Sequence, residues 1–303
     1  MKRILIATGL GILGLTWYLT SQSARRQTLG PTPDGGHLVP NGWTVKPVGR
    51  QIPLDTFPMA SALSPDGKFM AVLNGGYKPP SIPVLKADTL EQVSNTPVRD
   101  GWLGLTFSNN GKWLYVGGGA QARVFEFGFD QGKLALNREM EIVPTKDRTA
   151  QDFTGDVALS PDGRTIYATE LYRDAISVID GQTGKVTARV KTGRRPYRIL
   201  FHPKGDSYFV SSWADGTVYQ HSAATGERLN MVRIAPHTTD MLISNRIVND
   251  EEGKAPWWKY RLFVTAGNTN NVYSIGISET GDLRQLEGIS VAMTPRQPAG
   301  ITP

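Results

Sequence analysis

The chain has 303 residues and a net charge of +6, from 33 lysines and arginines against 27 aspartates and glutamates. This mild excess is compatible with an anionic partner but does not indicate nucleic-acid binding. Because the sequence contains no cysteine, it excludes disulfides, thiolate metal sites, thiol nucleophiles and covalently attached c-type haem. The 33 glycines and 20 prolines fit a turn-rich all-β fold.

Residues 1–23 have the pattern of a signal peptide. Lys2 and Arg3 precede an apolar run at residues 4–19, and residues 21–23 (SQS) place small side chains where a signal peptidase cleaves. We therefore expect a periplasmic or secreted protein. The alternative is an uncleaved inner-membrane anchor, held at the interface by the arginine pair at residues 25–26. No other membrane contact is expected.

The next segment, residues 24–43, is rich in glycine and proline and is predicted to be a flexible linker. Residues 44–50 (TVKPVGR) then resemble a later strand, residues 186–194 (VTARVKTGR). We predict that the propeller domain described below begins here, at residue 44, and extends to residue 303.

A repeated strand–turn–strand unit dominates the rest of the chain. It appears at residues 62–72 (ALSPDGKFMAV), 106–116 (TFSNNGKWLYV), 158–168 (ALSPDGRTIYA) and 200–210 (LFHPKGDSYFV). The corner glycines stand at 67, 111, 163 and 205, so successive corners are 44, 52 and 42 residues apart. A strand-only repeat with a period in the forties predicts the blades of a β-propeller.

Five blades are predicted, over residues 57–98, 102–142, 153–192, 197–234 and 239–291. A sixth begins at Arg296, where residues 296–301 (RQPAGI) repeat the pattern of residues 194–199 (RRPYRI). We therefore expect an incomplete ring, truncated at its C-terminal end, which has seven blades when complete. In the complete ring, residues 44–50 would pair with the last blade and leave no open sheet edge.

The repeated segments resemble the bacterial YVTN/YncE-like propeller family, a WD40-like architecture, most clearly at residues 262–275 (LFVTAGNTNNVYSI). The pattern is also similar to the propeller half of exported bacterial proteins that carry a phosphoesterase domain. This resemblance implies a fold. It transfers no activity, because the metal ligands and nucleophile of such a domain have no matching positions here.

Ligands of propellers usually bind the face formed by the connections between blades and by the loops between middle strands, and loops on a rigid scaffold carry recognition residues. The predicted ligand-binding residues on this face are Trp102, Asp156, Glu170, Arg194, Arg195, Tyr197, Trp213, His237, Asp240, Asn268 and Arg296. No catalytic residue and no metal ligand is assigned among them.

The sharpest local cluster is residues 193–198 (GRRPYR). Guanidinium groups beside an aromatic ring suit a phosphate, a carboxylate or a stacked base. The alternative is a solvated connection in which an arginine pairs with Asp156 or Asp240 across the channel.

Three functions remain open from the sequence. The first is an exported, non-catalytic binding scaffold for an unknown protein or an anionic small molecule, forming the N-terminal part of a larger protein. The second is a lactonase-like hydrolase at the channel mouth, using a metal or His and Arg acid–base groups. The third is binding of single-stranded DNA or another polyanion through Arg194, Arg195, Arg198 and Trp213. No cofactor is expected, because no Gly-rich phosphate loop or nucleotide-binding motif is found.

Overall fold

A computed structural model describes residues 28–247, 253–267, 269 and 271–290. The predicted leader and the predicted start of a sixth blade lie outside these residues. The chain divides into two compact units, and the boundary along the sequence lies between Pro53 and Leu54. Its only helix is a short 3-10 turn, Thr145–Asp147. No helix in the described ranges is long and apolar enough to cross a membrane.

The first unit contains a small antiparallel sheet of three strands, β1 (Gly30–Pro31), β2 (His37–Leu38) and β3 (Thr44–Val45). Part of the predicted flexible linker is therefore ordered. Thr44 and Val45, within the segment expected to pair with the last blade, pair with β2, with Leu38 opposite Thr44. Tight turns explain this local pairing, because closing a short loop costs less entropy than closing a long one.

The second unit consists of five four-stranded antiparallel sheets. Blade one contains β4 (Pro58–Leu63), β5 (Phe69–Asn74), β6 (Ser81–Lys86) and β7 (Gln92–Pro97). Blade two contains β8 (Leu105–Phe107), β9 (Trp113–Gly117), β10 (Arg123–Asp130) and β11 (Lys133–Glu141). Blade three contains β12 (Thr154–Leu159), β13 (Thr165–Glu170), β14 (Ala175–Asp180) and β15 (Val186–Lys191). Blade four contains β16 (Pro196–Phe201), β17 (Ser207–Ser212), β18 (Thr217–Ser222) and β19 (Arg228–Arg233). Blade five contains β20 (Thr238–Ser244), β21 (Tyr260–Ala266), β22 (Asn271–Ile277) and β23 (Leu283–Ser290).

The blades are arranged radially. The first strand of each sheet contacts the first strand of the next, in the order β4, β8, β12, β16 and β20. The predicted all-β propeller is confirmed, and each observed blade starts within three residues of its predicted start. The first strands therefore lie side by side at the centre of the second unit.

The repeated corner is stabilised by hydrogen bonds among its own residues. In blade three, the Ser160 hydroxyl donates to Asp162 Oδ1 at 2.6 Å, and the same carboxylate oxygen accepts from the Arg164 N–H at 3.0 Å. Gly163 completes the turn with a φ of +71°, which a glycine adopts without a steric penalty. In blade four, His202 takes the serine position, and its Nδ1 accepts from the Lys204 N–H at 3.1 Å.

The hydrophobic core lies between neighbouring blades. Leu73 and Ile82 of blade one pack in one cluster with Val116 and Phe125 of blade two, and all four are at most 1% exposed. Burying a side chain of this kind contributes about 1.5–3 kcal/mol. Each blade is therefore stabilised by its neighbours, as in other repeat folds.

Candidate functional site

A cavity of about 360 Å³ opens on the face that the sequence predicts to bind ligands. We call it the aromatic pocket. It is lined by Trp102, Leu171, Tyr172, Arg195, Tyr197 and Trp213. These residues come from the connections that precede blades two and four, from β16, and from the β13–β14 and β17–β18 loops. Residues far apart in sequence are thus brought together by the radial arrangement of the blades.

Edge-on ring contacts hold the wall of this pocket. The Trp102 ring lies 5.2 Å from the Tyr197 ring and 5.6 Å from the Phe153 ring, centroid to centroid. The Phe153 ring in turn lies 5.7 Å from Tyr172. Each such contact contributes about 0.5–1.5 kcal/mol beyond the burial of area. The aromatic wall is therefore fixed in place before any ligand binds.

Arg195 supplies the only charge among the residues that line the pocket. Its guanidinium carbon lies 4.4 Å from the centroid of the Tyr172 ring, a cation–π contact. Its backbone N–H donates to Asp174 Oδ1 at 3.0 Å, and its carbonyl accepts from the Trp213 N–H at 3.0 Å. Within the described residues this guanidinium forms no ion pair.

His237 does not line the pocket but contacts Trp213 from the next connection; we call Trp213, Arg195 and His237 the rim. The His237 N–H donates to the Trp213 carbonyl at 3.0 Å, and the His237 and Trp213 rings lie 4.2 Å apart. The backbone of Trp213 is therefore held by Arg195 on one side and by His237 on the other. The rim combines an aromatic ring, a guanidinium and an imidazole.

Arg195 and His237 occupy equivalent positions, each directly before the first strand of a blade. Both have left-handed backbone angles, with φ of +57° and +64°. Phe57, directly before blade one, has the same conformation, with φ of +56°. This conformation costs a non-glycine residue about 1–2 kcal/mol. Because it recurs before blades one, four and five, this conformation is a feature of the repeated connection.

The first strands of blades one, three, four and five each contain a β-bulge near their start. The pairing register shifts between Thr154 and Val157 in blade three and between Pro196 and Arg198 in blade four. In blade five it shifts between Thr238 and Met241. Bulges re-aim side chains and are common beside active sites. Asp156, Tyr197 and Asp240 lie within the bulges of blades three, four and five.

A second cavity, of about 320 Å³, lies between the first strands and is lined in part by Asp156, Arg198 and Asp240. Arg198 Nη1 donates to Asp156 Oδ1 at 2.9 Å, and its Nε donates to Asp240 Oδ1 at 3.0 Å. These carboxylates, Asp156 above all, raise the pKa of Arg198 further above its usual range. The arginine–aspartate pairing considered from the sequence is thus formed by Arg198. Asp156 and Asp240 line this central cavity and not the aromatic pocket.

Two other predicted residues do not line the aromatic pocket. Glu170 is 4% exposed, and its Oε1 accepts from Ser177 Oγ at 2.6 Å and from Arg189 Nε at 2.8 Å. It is therefore engaged inside blade three. The Arg194 side chain is exposed, and its backbone N–H donates to Asp215. The predicted contacts Asn268 and Arg296 lie outside the described residues.

The metal that the lactonase-like alternative could use would need a cluster of ligating side chains. In the described part of the chain, no three His, Asp or Glu side chains converge closely enough to hold an ion. Asp152 is instead bound by Arg173 Nε at 2.9 Å and by the Thr149 hydroxyl at 2.8 Å.

The sequence prediction missed Phe153 and Leu171. Phe153 directly precedes the first strand of blade three, the position that Arg195 and His237 hold in later blades. Aligning the blades on this position would have indicated it. Leu171 had no comparable signal, since an apolar residue after a strand is equally typical of core packing.

Three solved structures illustrate the likeness of the fold. The chain is 18% identical to the periplasmic gluconolactonase PpgL of Pseudomonas aeruginosa, with a TM-score of 0.63, 88% of this chain covered and 83% of that one. It is 17% identical to a putative 6-phosphogluconolactonase of Bacteroides uniformis, with a TM-score of 0.62 and coverages of 89% and 83%. It is also 18% identical to hydrazine synthase of Kuenenia stuttgartiensis, with a TM-score of 0.56 and coverages of 80% and 69%.

No curated protein matches the chain. A family model does match, over residues 60–242, which is more than half of the sequence. This range spans blades one to four and the first residues of blade five, and includes every residue that lines the aromatic pocket. The chain belongs to the family described as lactonase, 7-bladed beta-propeller.

Proposed function

We propose that the protein hydrolyses lactones at the aromatic pocket. Membership of a lactonase family supports this function over that of a non-catalytic scaffold. The structural observation that carries the proposal is the rim around Trp213. There, Arg195 and His237 hold equivalent backbone positions, and each is hydrogen-bonded to the backbone of Trp213.

The proposed reaction needs one water molecule and no cofactor. The His237 imidazole takes a proton from the water molecule while the water oxygen attacks the lactone carbonyl carbon. Arg195 donates to the carbonyl oxygen, where negative charge develops. The bond between the acyl carbon and the ring oxygen then breaks, and the proton passes from the imidazolium to that oxygen. The product is the open hydroxy acid, and both side chains return to their starting states.

The two groups have different expected contributions. A positioned general base contributes about 10²–10⁴-fold to a rate. Removing one donor to a developing oxyanion costs about 10²–10³-fold in kcat. The fixed aromatic wall would orient the lactone ring between them and exclude bulk water.

The test is hydrolysis of a lactone panel by the purified protein, followed by acid release at constant pH, with and without a chelator. We expect turnover that falls about 100-fold in His237→Gln, in line with loss of a general base. His37→Gln is the matched control, because His37 is exposed and belongs to the first unit. A wild-type protein that hydrolyses no lactone would leave the scaffold as the better function.

Oligonucleotide binding is measured in parallel. Binding that weakens steeply with salt and with Arg194→Gln would favour the polyanion function instead.

We also propose export, from the leader pattern of residues 1–23 alone. Mass spectrometry of the mature N-terminus in the native host tests it. A chain that retains Met1 in the cytoplasm would contradict export.

A further inference from the structure

The aromatic pocket also restricts the substrate, and this inference rests on the function proposed above. We propose that the pocket accepts uncharged lactones fused to a flat apolar or aromatic ring, and that it discriminates against phosphorylated sugar lactones. The observation behind this is the chemical composition of the wall. Five of its six residues present aromatic or aliphatic surface, and the sixth is Arg195.

The lining residues offer no strong hydrogen-bond acceptor for sugar hydroxyls. Its polar atoms are the Arg195 guanidinium, the hydroxyls of two tyrosines and the indole N–H groups of two tryptophans, and no carboxylate or carboxamide lines it. A gluconolactone carries a hydroxyl on nearly every ring carbon. Burying a hydroxyl without a hydrogen bond costs about 1–3 kcal/mol in proteins. A polyhydroxylated ring should therefore bind more weakly wherever its hydroxyls are buried against the aromatic rings without a hydrogen bond.

The lining carries one positive charge, on Arg195, which can pair with one anionic group of a ligand. During hydrolysis of a neutral lactone, negative charge develops on the carbonyl oxygen, and the product carries it as a carboxylate. One guanidinium can hold that group through two parallel N–H donors. A phosphorylated lactone brings a second anion, and the described lining contains no second cation to receive it.

The size and rigidity of the pocket fit a bicyclic ring. Its volume of about 360 Å³ lies at the small end of the range typical of ligand pockets. Trp102 contacts the rings of Tyr197 and Phe153, and Phe153 contacts that of Tyr172, so the pocket walls are held in a fixed arrangement. Offset or edge-on contact with a flat ligand ring would extend this series.

The experiment compares three lactones on the full chain: dihydrocoumarin, glucono-δ-lactone and 6-phosphoglucono-δ-lactone. We expect kcat/KM for dihydrocoumarin to exceed that for either sugar lactone by about 100-fold, the scale on which hydroxyl recognition discriminates. Binding of the matching acids is measured separately by calorimetry. We expect 3-(2-hydroxyphenyl)propionate to bind at least about tenfold more tightly than gluconate or 6-phosphogluconate.

Variants identify the groups responsible. Arg195→Gln should weaken binding of the aromatic acid about tenfold, as expected for a charge-assisted hydrogen bond. Arg195→Lys should restore only part of it, because an ammonium lacks the planar fork. Arg194→Gln is the matched control, since it removes the neighbouring charge from an exposed side chain outside the pocket.

The outcomes separate the two proposals. If the aromatic acid binds with this dependence on Arg195 but no lactone is hydrolysed, the proposed function fails and the ligand class stands. If the sugar lactones are hydrolysed in preference, the function stands and the ligand class is wrong. Binding of none of the three acids, or binding that Arg195→Gln leaves unchanged, also overturns the ligand class.

Discussion

The Arg198 guanidinium and the Asp156 carboxylate form an ion pair between the first strands of blades four and three, with Nη1 and Oδ1 2.9 Å apart. The other carboxylate oxygen accepts from the Ile199 N–H at 2.8 Å. The Asp156 side chain is 4% exposed and that of Arg198 is 31% exposed. The Asp156 carboxylate of β12 therefore binds both a side chain and the backbone of β16, and these bonds fix the alignment of the two strands.

Arg198→Met should be strongly destabilising. The substitution keeps much of the apolar stem but leaves the buried Asp156 carboxylate without its cation. Breaking a buried pair in this way costs about 3–5 kcal/mol. We expect a value near 3 kcal/mol in the free energy of unfolding, measured with urea, because Arg198 is partly exposed. Arg164→Met, at an exposed corner, should change it by less than about 0.5 kcal/mol. Equal effects of the two variants would show that the pair is not structural.

Two glycine variants should separate backbone strain from steric overlap. Gly163 has a φ of +71°, and an added Cβ would meet nothing within 4 Å. Gly163→Ala should therefore cost about 1–2 kcal/mol, from the left-handed conformation alone. An added Cβ on Gly193 would overlap Tyr219, Ser212 and Asp215.

Gly193→Ala should displace the connection that carries Arg195. We expect it to lose about 1–3 kcal/mol through overpacking and, in addition, most dihydrocoumarin hydrolysis. Gly163→Ala should keep that hydrolysis. Urea unfolding and initial rates on both proteins check this, and full activity in Gly193→Ala would show that the connection does not position the site.

The sequence predicted the corners well because each corner is a local structure. Serine, aspartate and glycine within a few residues determine the turn, as the Ser160 and Asp162 hydrogen bonds illustrate. The period between corners then gave the propeller. These features need no information about distant parts of the chain.

The site was harder to predict, because it depends on strand starts and bulges. Tyr197 and Arg198 are neighbours in sequence, yet Tyr197 lines the aromatic pocket and Arg198 lines the central cavity. Adjacent strand residues point to opposite sides, so the direction of each depends on where β16 begins and where its register shifts. The contact of Phe153 with Trp102 involves a neighbouring blade, and only an alignment of the blades could have indicated it. Leu171 had no such signal.

Asp152 should make the protein less stable in acid. Hydrogen bonds from Arg173, and to a lesser extent from Thr149, lower the Asp152 pKa to about 2, from an ordinary 3.8. A carboxyl group with a lowered pKa in the folded state stabilises that state above its unfolded pKa, and this stabilisation is lost as the pH falls through the folded pKa. The relevant window is therefore from about pH 4 down to about pH 2.

Asp152→Asn should cost about 1 kcal/mol at pH 7, a reduced value because water screens the half-exposed Arg173. The variant should also lose less stability than the wild type between pH 4 and pH 2. Urea unfolding across this range measures both quantities. Asp130→Asn, at the exposed end of β10, is the control. Parallel pH profiles for the wild type and Asp152→Asn would contradict the assignment.

His221 should contribute a second pH dependence, near neutrality. It is 1% exposed, its Nδ1 lies 3.0 Å from the Gly226 carbonyl, and its Nε2 lies 3.0 Å from the Thr192 hydroxyl. The carbonyl can only accept, so Nδ1 carries the proton, and Nε2 accepts from the hydroxyl. Burial lowers the pKa of His221 below its ordinary 6.5.

The folded state therefore binds fewer protons than the unfolded state, and stability falls as the pH drops below about 6.5 towards the folded pKa. The slope is at most about 1.4 kcal/mol per pH unit for one histidine. His221→Gln should flatten the dependence of the unfolding free energy on pH between 7 and 5, whatever its effect at pH 7. His202, whose pKa burial also lowers, accounts for part of the remaining slope. An identical slope in His221→Gln and the wild type would mean that the His221 pKa does not differ between the folded and unfolded states.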